Sequence, residues 1–243
     1  PIHCLEAVEY DSQDEFVPTN IFPQDEWLGK IQVAQFFHSD LTLLTHCTTD
    51  NVLFRTYTVF TNDANEIEFT LVREFTEEDP FIEWWASIKK LAQTKATVEA
   101  SPRQAKTIFD GVIEKHGHSW GGNIDGFVLK TDIGSVVLIL ELRQSRRTPV
   151  SKYDPAVYFL GTATKGGDFK TWLPLIYLKK AYNLPLALIT LSTKSQDEIG
   201  YTEVHGINTQ KLFYVDDISP KANVTKDLNR VVEWLNTLIA RNN

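Results

Sequence analysis

Cysteine and long apolar runs are both scarce in this chain. Its 243 residues include only Cys4 and Cys47, which are too few for a disulfide framework, and no clustered Cys/His pattern indicates zinc. No stretch approaches the roughly 20 apolar residues that span a bilayer. The first residues also lack the basic and apolar regions of a signal peptide. We therefore expect a soluble, cytoplasmic protein whose thiols stay reduced.

Positive charge is scarce in the first part of the chain. Residues 1–100 contain 6 Lys+Arg and 18 Asp+Glu, a net charge of −12, whereas the remaining residues contain 18 and 14, a net charge of +4. Basic residues predominate between positions 143 and 180. This excess favours contact with a polyanion such as a nucleic acid; an ordinary solvated surface is the alternative. Contact between the acidic first part and a basic protein partner also stays open.

The first 100 residues have the pattern of a β-rich, acidic region that ends in a helix. Runs rich in β-branched and aromatic residues predict strands at 31–37, 41–47, 52–61 and 67–75, separated by polar turns, as in an antiparallel meander. Helical spacing of apolar residues then predicts a helix from Asp79.

Residues 101–243 predict a second domain. Ser101 and Pro102 are suited to the start of a helix that ends near Gly117. Strands are predicted at 124–129, 136–143, 186–191 and 212–215, with helices at 169–182 and 225–240. This order indicates an α/β (α+β) fold, a mixed β-sheet flanked by helices, in which the helix at 169–182 makes a parallel connection.

The polar residues of two neighbouring strands form the strongest candidate site. Alternation along VVLILELRQ places Glu141 and Arg143 on one strand face. A hairpin turn near 132–135 brings Asp125, at the start of the preceding strand, opposite Glu141. Two carboxylates on adjacent strands can hold Mg²⁺, with Mn²⁺ as a substitute. Glu114, near the end of the preceding helix, is a third candidate ligand; an ordinary surface role is its alternative.

A basic segment follows this strand directly. It contains the candidate nucleic-acid contacts Gln144, Arg146, Arg147 and Lys152, which can bind phosphates or bases. The alternative is a basic surface loop. For His116 and His118, near the end of the preceding helix, ordinary structural roles are the favoured interpretation.

Four features follow one another in this region: the helix before Gly117, IDGF with Asp125, ELR with Glu141 and Arg143, and the next helix and strand. In this order they resemble the PD-(D/E)XK nuclease superfamily. The resemblance covers about 90 residues and implies a restriction-endonuclease-like core. It also implies that Asp125 and Glu141 bind metal, that the Leu142 carbonyl completes the ligands, and that position 143 has the role of the active-site lysine.

Two residues depart from that pattern: Arg143 replaces the lysine and Ile124 replaces a proline. Arginine can hold a phosphate but cannot act as a base, so the metal itself, or Lys130, is left to activate water. We expect a Mg²⁺-dependent endonuclease that hydrolyses DNA, of restriction type. The alternative is a catalytically inactive nuclease-fold protein that binds nucleic acid or assists protein assembly. A homodimer stays open.

Overall fold

The computed structural model describes residues 2–11, 16–89, 107–118, 124–146, 148–152, 161–162, 165–166, 169–195, 197–208, 214–216 and 223–242. Contacts divide the chain into two compact units, Pro1–Trp120 and Gly121–Asn243. The boundary that the sequence predicts, between residues 100 and 101, lies about twenty positions earlier. The expected Ser101 cap and Pro102 lie outside the described residues.

The first unit is built on a four-stranded sheet. Its strands are β1 (Cys4–Tyr10), β2 (Leu41–Cys47), β3 (Phe54–Thr61) and β4 (Ile67–Phe75), in the spatial order β1-β2-β3-β4. The pairs β2–β3 and β3–β4 are antiparallel, as the meander pattern predicts, whereas β1 is parallel to β2. A short helix α1 (Pro18–Ile21) and the longer α2 (Gln24–Phe36) connect β1 to β2.

Helices pack on both faces of this sheet. Trp27, Ile31 and Ala34 of α2 are buried against Leu41 and Leu43 of β2. The opposite face is covered by α3 (Glu78–Lys89) and α4 (Ile108–Lys115), whose aromatic and aliphatic residues form a second cluster with Leu44, Phe54 and Phe75. Leu43 and Leu44 of β2 therefore face different helical layers, because neighbouring residues of a strand point to opposite faces of the sheet.

The predicted strand at 31–37 is wrong, because these residues continue α2 to Phe36. Trp27, Ile31 and Ala34 recur at intervals of four and three positions, which places them on one helix face. The β-branched and aromatic content of IQVAQFF is a misleading strand signal. The sequence pattern does not predict strand β1.

Helix α4 belongs with the first unit, although the sequence pattern assigns it to the second domain. Its side chains Phe109, Val112 and Ile113 are buried in the same cluster as Phe54 and Phe81. The helix begins after Thr107, whose hydroxyl accepts a hydrogen bond from the Asp110 amide at 3.1 Å. This cap satisfies one of the amide groups that a helix start leaves without a partner.

The second unit contains a five-stranded mixed sheet of β5 (Gly126–Lys130), β6 (Ser135–Ser145), β9 (Leu186–Ser192), β10 (Ile199–Glu203) and β13 (Asn223–Thr225). Its order is β13-β10-β9-β6-β5. The β5–β6 hairpin is antiparallel and turns at Gly134, whose φ of 60° favours glycine. Short pairs are formed by β7 (Gly161–Thr162) with β8 (Lys165–Gly166) and by β11 (Gly206–Asn208) with β12 (Tyr214–Asp216).

Two helices flank this sheet. Helix α5 (Phe169–Tyr182) connects β6 to β9, which are parallel, so the predicted parallel connection is confirmed. Helix α6 (Leu228–Asn242) packs Leu238 against Leu138 and Ala187 on one face. The fold is thus mixed α+β, with a mixed sheet flanked by helices, as predicted. Within the described ranges, no helix is both long and apolar enough to cross a membrane.

Candidate metal and nucleic-acid site

Glu141 is a buried carboxylate in the carboxyl-terminal half of a central strand. It lies on β6 between β5 and β9, and its side chain is only 2% exposed. Arg143, two positions along on the same face, forms an ion pair with it at 2.7 Å between Nη2 and Oε1. The guanidinium also lies 5.9 Å from the ring centre of the fully buried Trp172 on α5. The ion pair with Arg143 offsets part of the cost of burying the Glu141 charge.

Asp125 lies directly before β5, beside Glu141. The register pairs Gly126 with Leu140, so one further step places Asp125 opposite Glu141 on the neighbouring strand. The exposed Asp125 side chain accepts a hydrogen bond from the Leu142 amide at 2.7 Å. This contact joins the Asp125 carboxylate to β6 at the residue that follows Glu141. Asp125, Glu141 and Arg143 together form the candidate site.

The oxygen donors of the candidate site fit the chemistry of Mg²⁺. That ion prefers hard oxygen ligands and often takes only one or two protein carboxylates, which Asp125 and Glu141 can supply together with the Leu142 carbonyl. No group of three or more His, Cys, Asp or Glu side chains arranged for a metal occurs in the described part of the chain. Because Arg143 already pairs with Glu141, a bound cation has to compete with the guanidinium for that carboxylate.

Lys130 lies far from the candidate site along the strand, and the role of Glu114 as a metal ligand stays a prediction. Lys130 pairs with Ser135 at the turn end of the hairpin, so it is separated from Asp125 by roughly 16 Å of strand. It therefore does not lie beside Asp125, where the sequence analysis considers it as a residue that activates water. Glu114 is exposed on α4, which belongs to the first unit.

Hydrogen bonds with the last residue of β9 and with the residues that follow it hold the basic segment after β6 in place. The Ser192 hydroxyl donates to the Thr148 carbonyl at 2.7 Å, and the Ser195 hydroxyl accepts from the Val150 amide at 3.0 Å. The Thr193 amide donates to the Ser145 carbonyl at 3.0 Å. These contacts attach the segment to the same end of the sheet at which Glu141 and Arg143 lie.

The candidate nucleic-acid contacts occupy different positions around this segment. Arg146 and Lys152 are exposed on it, where their charges can meet a polyanion. Gln144 is exposed but has the strand parity of Leu142, so it lies on the face opposite Arg143. Arg147 lies outside the described residues.

Two residues near Arg143 are not identified by sequence reasoning. Trp172 enters the sequence-based prediction only as part of a helix, yet it lies near the guanidinium. Thr190 of β9 pairs in register with Arg143 and is 1% exposed. The sequence signal that could have identified Thr190 is its polar side chain inside the otherwise apolar run LALITL.

His116 has a structural partner in the first unit. Its Nε2 lies 2.8 Å from Oε2 of Glu78, the same oxygen that accepts from Lys115 at 2.7 Å. These contacts link α3 to α4, which agrees with the structural interpretation of this histidine.

Comparisons with known proteins found no matching family model, no matching curated protein and no matching solved structure.

Proposed function

We propose that the protein is a cytoplasmic, Mg²⁺-dependent endonuclease that hydrolyses phosphodiester bonds of DNA. The observation that carries the proposal is the position of Asp125, directly before β5 and hydrogen-bonded to the Leu142 amide, next to the buried Glu141 of β6 and its partner Arg143. A buried carboxylate paired with a cation is the type of group that enzymes use at functional sites.

Each residue of the candidate site has a distinct role in the proposed reaction. Asp125 and Glu141 hold the cation, which when bound activates water and neutralises charge on the phosphate. Arg143 holds the phosphate with its planar guanidinium and stabilises the charge that develops during hydrolysis. Its guanidinium donates hydrogen bonds and does not act as a base. Trp172 and the Glu141 carboxylate restrict the orientation of the guanidinium.

The anchored basic segment supports a nucleic acid as the substrate. Arg146 and Lys152 extend from a segment whose backbone is fixed to the end of the sheet by Ser192 and Ser195. Fixed cations beside a candidate hydrolytic site favour a long polyanion over a small phosphate ester.

A second candidate function is nucleic-acid binding or protein assembly by an inactive nuclease fold. It is favoured by the ion pair between Arg143 and Glu141, because an arginine in the place of the usual lysine competes with the cation that catalysis needs. Binding of nucleic acid without cleavage would select this alternative.

The test is a cleavage assay on supercoiled plasmid, linear duplex DNA, single-stranded DNA and RNA, each with Mg²⁺, Mn²⁺ or EDTA. Glu141→Ala removes the buried candidate ligand. Glu203→Ala is the matched control, because Glu203 is also a largely buried carboxylate of this sheet, 14% exposed, but pairs with Lys179 and Arg241 instead.

We expect metal-dependent cleavage of DNA by the wild type and by Glu203→Ala, and none by Glu141→Ala. Equal cleavage by all three proteins would assign the activity to another site or to a contaminant. DNA binding without cleavage under every metal condition would support the inactive alternative.

A further inference from the structure

Strand β4 forms an exposed edge of the first sheet. It pairs with β3 on one side, and no described strand pairs with its other side. Strand β1, at the opposite edge, is half-buried except at Glu9, whereas every residue of β4 from Thr70 to Glu74 is exposed. Leu71 and Val72 are 48% and 59% exposed. An open edge strand offers backbone groups to which another strand can bind.

The turn before β4 shows which of its backbone groups point outward. The Asn62 amide donates to the Glu66 carbonyl at 2.9 Å, so these two residues form a hydrogen-bonded pair across the hairpin. In an antiparallel ladder, such pairs alternate with pairs whose N–H and C=O groups point away from the partner strand. Ile67, Phe69 and Leu71 belong to the second kind of pair. Their backbone groups are therefore directed to the free edge.

The side chains of the same residues carry the apolar face under α2 out to this edge. Ile67 and Phe69 pack on the cluster that contains Trp27, and the rings of Phe69 and Trp27 lie 5.2 Å apart. Leu71 is on the same face, and the exposed Glu68 is on the opposite face. An added strand of alternating apolar and basic residues would place apolar groups beside Phe69 and Leu71 and a cation beside Glu68.

Acidic residues surround the free edge. Residues 62–79 contain seven Asp+Glu and one Arg, a net charge of −6. Two of the acidic residues pair with cations of other elements, and the other five form no ion pair within the described part of the chain. Glu66 and Glu68 both accept a hydrogen bond from the Asn62 side chain, at 3.2 and 2.8 Å. Two carboxylates held this close together favour a cation beside them.

We propose that the free edge of β4 binds an extended, basic segment of a partner protein, which adds to the sheet as a fifth strand. Main-chain hydrogen bonds with residues 67–71 hold the segment, and its lysine or arginine side chains meet the acidic residues. The bulge between Leu71 and Arg73 ends the regular part of the strand. A second copy of this chain is a poorer occupant, because it would place the same acidic strand beside β4.

This surface belongs to the first unit and the candidate site belongs to the second, so the inference does not rest on the proposed nuclease function. The test is fluorescence anisotropy of the full chain with a labelled peptide of five Lys-Val repeats. A peptide of five Lys-Pro repeats is the control, because it has the same charge but its prolines cannot donate backbone hydrogen bonds or continue a strand.

Three variants of the protein separate strand pairing from general attraction of charge. Leu71→Pro removes an outward N–H, and Glu68→Lys reverses the charge beside the edge. Glu83→Lys is the matched control, because it makes the same change of charge at an exposed residue of α3. Thermal unfolding checks that every variant is folded. Should Leu71→Pro fail to fold, Leu71→Lys changes the same exposed side chain and leaves the backbone intact.

We expect the wild type to bind the Lys-Val peptide at least about tenfold more tightly than the Lys-Pro peptide. Leu71→Pro and Glu68→Lys should each weaken binding of the Lys-Val peptide about three- to tenfold, the worth of one hydrogen bond or close charge pair. Leu71→Lys should weaken it as well, and Glu83→Lys should bind as the wild type does.

Several results would overturn the inference. Equal or absent binding of the two peptides by the wild type would show that the edge does not select a strand. An equal loss in Glu83→Lys and Glu68→Lys would indicate a general effect of charge on the first unit. A wild type that sediments as a dimer and becomes monomeric in Leu71→Pro would assign the edge to a second copy of the chain.

Discussion

Arg143 has two roles in this account, and both use its guanidinium group. Its guanidinium neutralises Glu141, whose side chain is 2% exposed, and the proposed reaction needs it to hold a phosphate. Removing one partner of a buried ion pair is strongly destabilising, because the remaining charge has lost its hydration and no longer has that partner to compensate for it. Replacement of Arg143 should therefore affect folding as well as catalysis.

We predict that Arg143→Ala lowers the free energy of unfolding by roughly 3 kcal/mol, at the lower end for a broken buried pair because Arg143 itself is 21% exposed. Arg143→Lys should lose less, because the ammonium group keeps a positive charge near Glu141, and it should retain cleavage. Urea unfolding and cleavage rates of both variants test this. Wild-type stability in Arg143→Ala would mean that Glu141 does not depend on the pair.

The acidic residues of the site are predictable from the sequence, but their surroundings are not. Strand parity puts Glu141 and Arg143 on one face, and the hairpin turn sets Asp125 beside them. Trp172 and Thr190 come from α5 and β9, dozens of positions away. Their proximity to Arg143 joins residues that are far apart in the sequence, which no local pattern encodes.

At the scale of elements, Glu78 links two helices of the first unit. Hydrogen bonds from Lys115, and then from His116, hold the pKa of Glu78 below its usual value, although partial burial acts in the opposite direction. A carboxylate whose pKa is lower in the folded state contributes stability above its unfolded pKa of about 4.3. That contribution is lost as the pH falls through the folded pKa.

Glu78→Gln should therefore lower the free energy of unfolding at pH 7 by no more than about 1 kcal/mol, the range of partly exposed pairs. The difference from the wild type should shrink as the pH falls below about 4. Glu77→Gln, on the exposed neighbouring residue, is the control and should change little. Denaturant unfolding at several pH values measures the difference. If it grew in acid, the Glu78 carboxylate would not be the stabilising form.

The basic segment after β6 should contribute phosphate contacts. Neutralising Arg146 and Lys152 together to glutamine should weaken DNA binding and reduce the slope of log affinity against log salt by about 0.9 for each duplex phosphate that is no longer neutralised. Lys130→Gln, an exposed lysine at the turn end of the hairpin, should leave the slope unchanged. Fluorescence anisotropy at several salt concentrations measures both. An unchanged slope in the double variant would exclude the segment as a nucleic-acid face.

Elements with a clear period are predictable from the sequence, and those formed by tertiary packing are not. The periodic pattern identifies α5 at its observed bounds and β6 within two residues of them. The β-branched and aromatic content of residues 31–37 favours a strand, but burial of Trp27, Ile31 and Ala34 against the sheet selects a helix. Strands β10 and β13 escape prediction because they are short and gain stability from their neighbours in the sheet.

Charge is divided unevenly between the two units of the molecule. Pro1–Trp120 contains 9 Lys+Arg and 20 Asp+Glu, a net charge of −11, whereas Gly121–Asn243 contains 15 and 12, a net charge of +3. The first unit should therefore repel DNA while the second attracts it. Repulsion of this kind is screened by salt within about 10 Å at 0.1 M ionic strength.

A fragment of residues 121–243 should bind duplex DNA more tightly than the full chain at low salt, and the difference should narrow as salt is added. Circular dichroism checks that the fragment is folded, and anisotropy titrations give the affinities. Weaker binding by a folded fragment at low salt would mean that the first unit supplies contacts of its own.

The central claim is that Asp125 and Glu141 share a catalytic cation, and single-turnover cleavage of plasmid DNA by Asp125→Asn tests it most directly. Asparagine keeps a side-chain oxygen for the Leu142 amide, which donates to Asp125 at 2.7 Å, so folding should persist while the anionic ligand is lost. With Glu203→Gln as the control, we predict a loss on the order of 100-fold or more in Asp125→Asn alone, the scale of removing a transition-state stabiliser. Cleavage by a folded Asp125→Asn protein at the wild-type rate, with the same Mg²⁺ dependence, would contradict the shared cation.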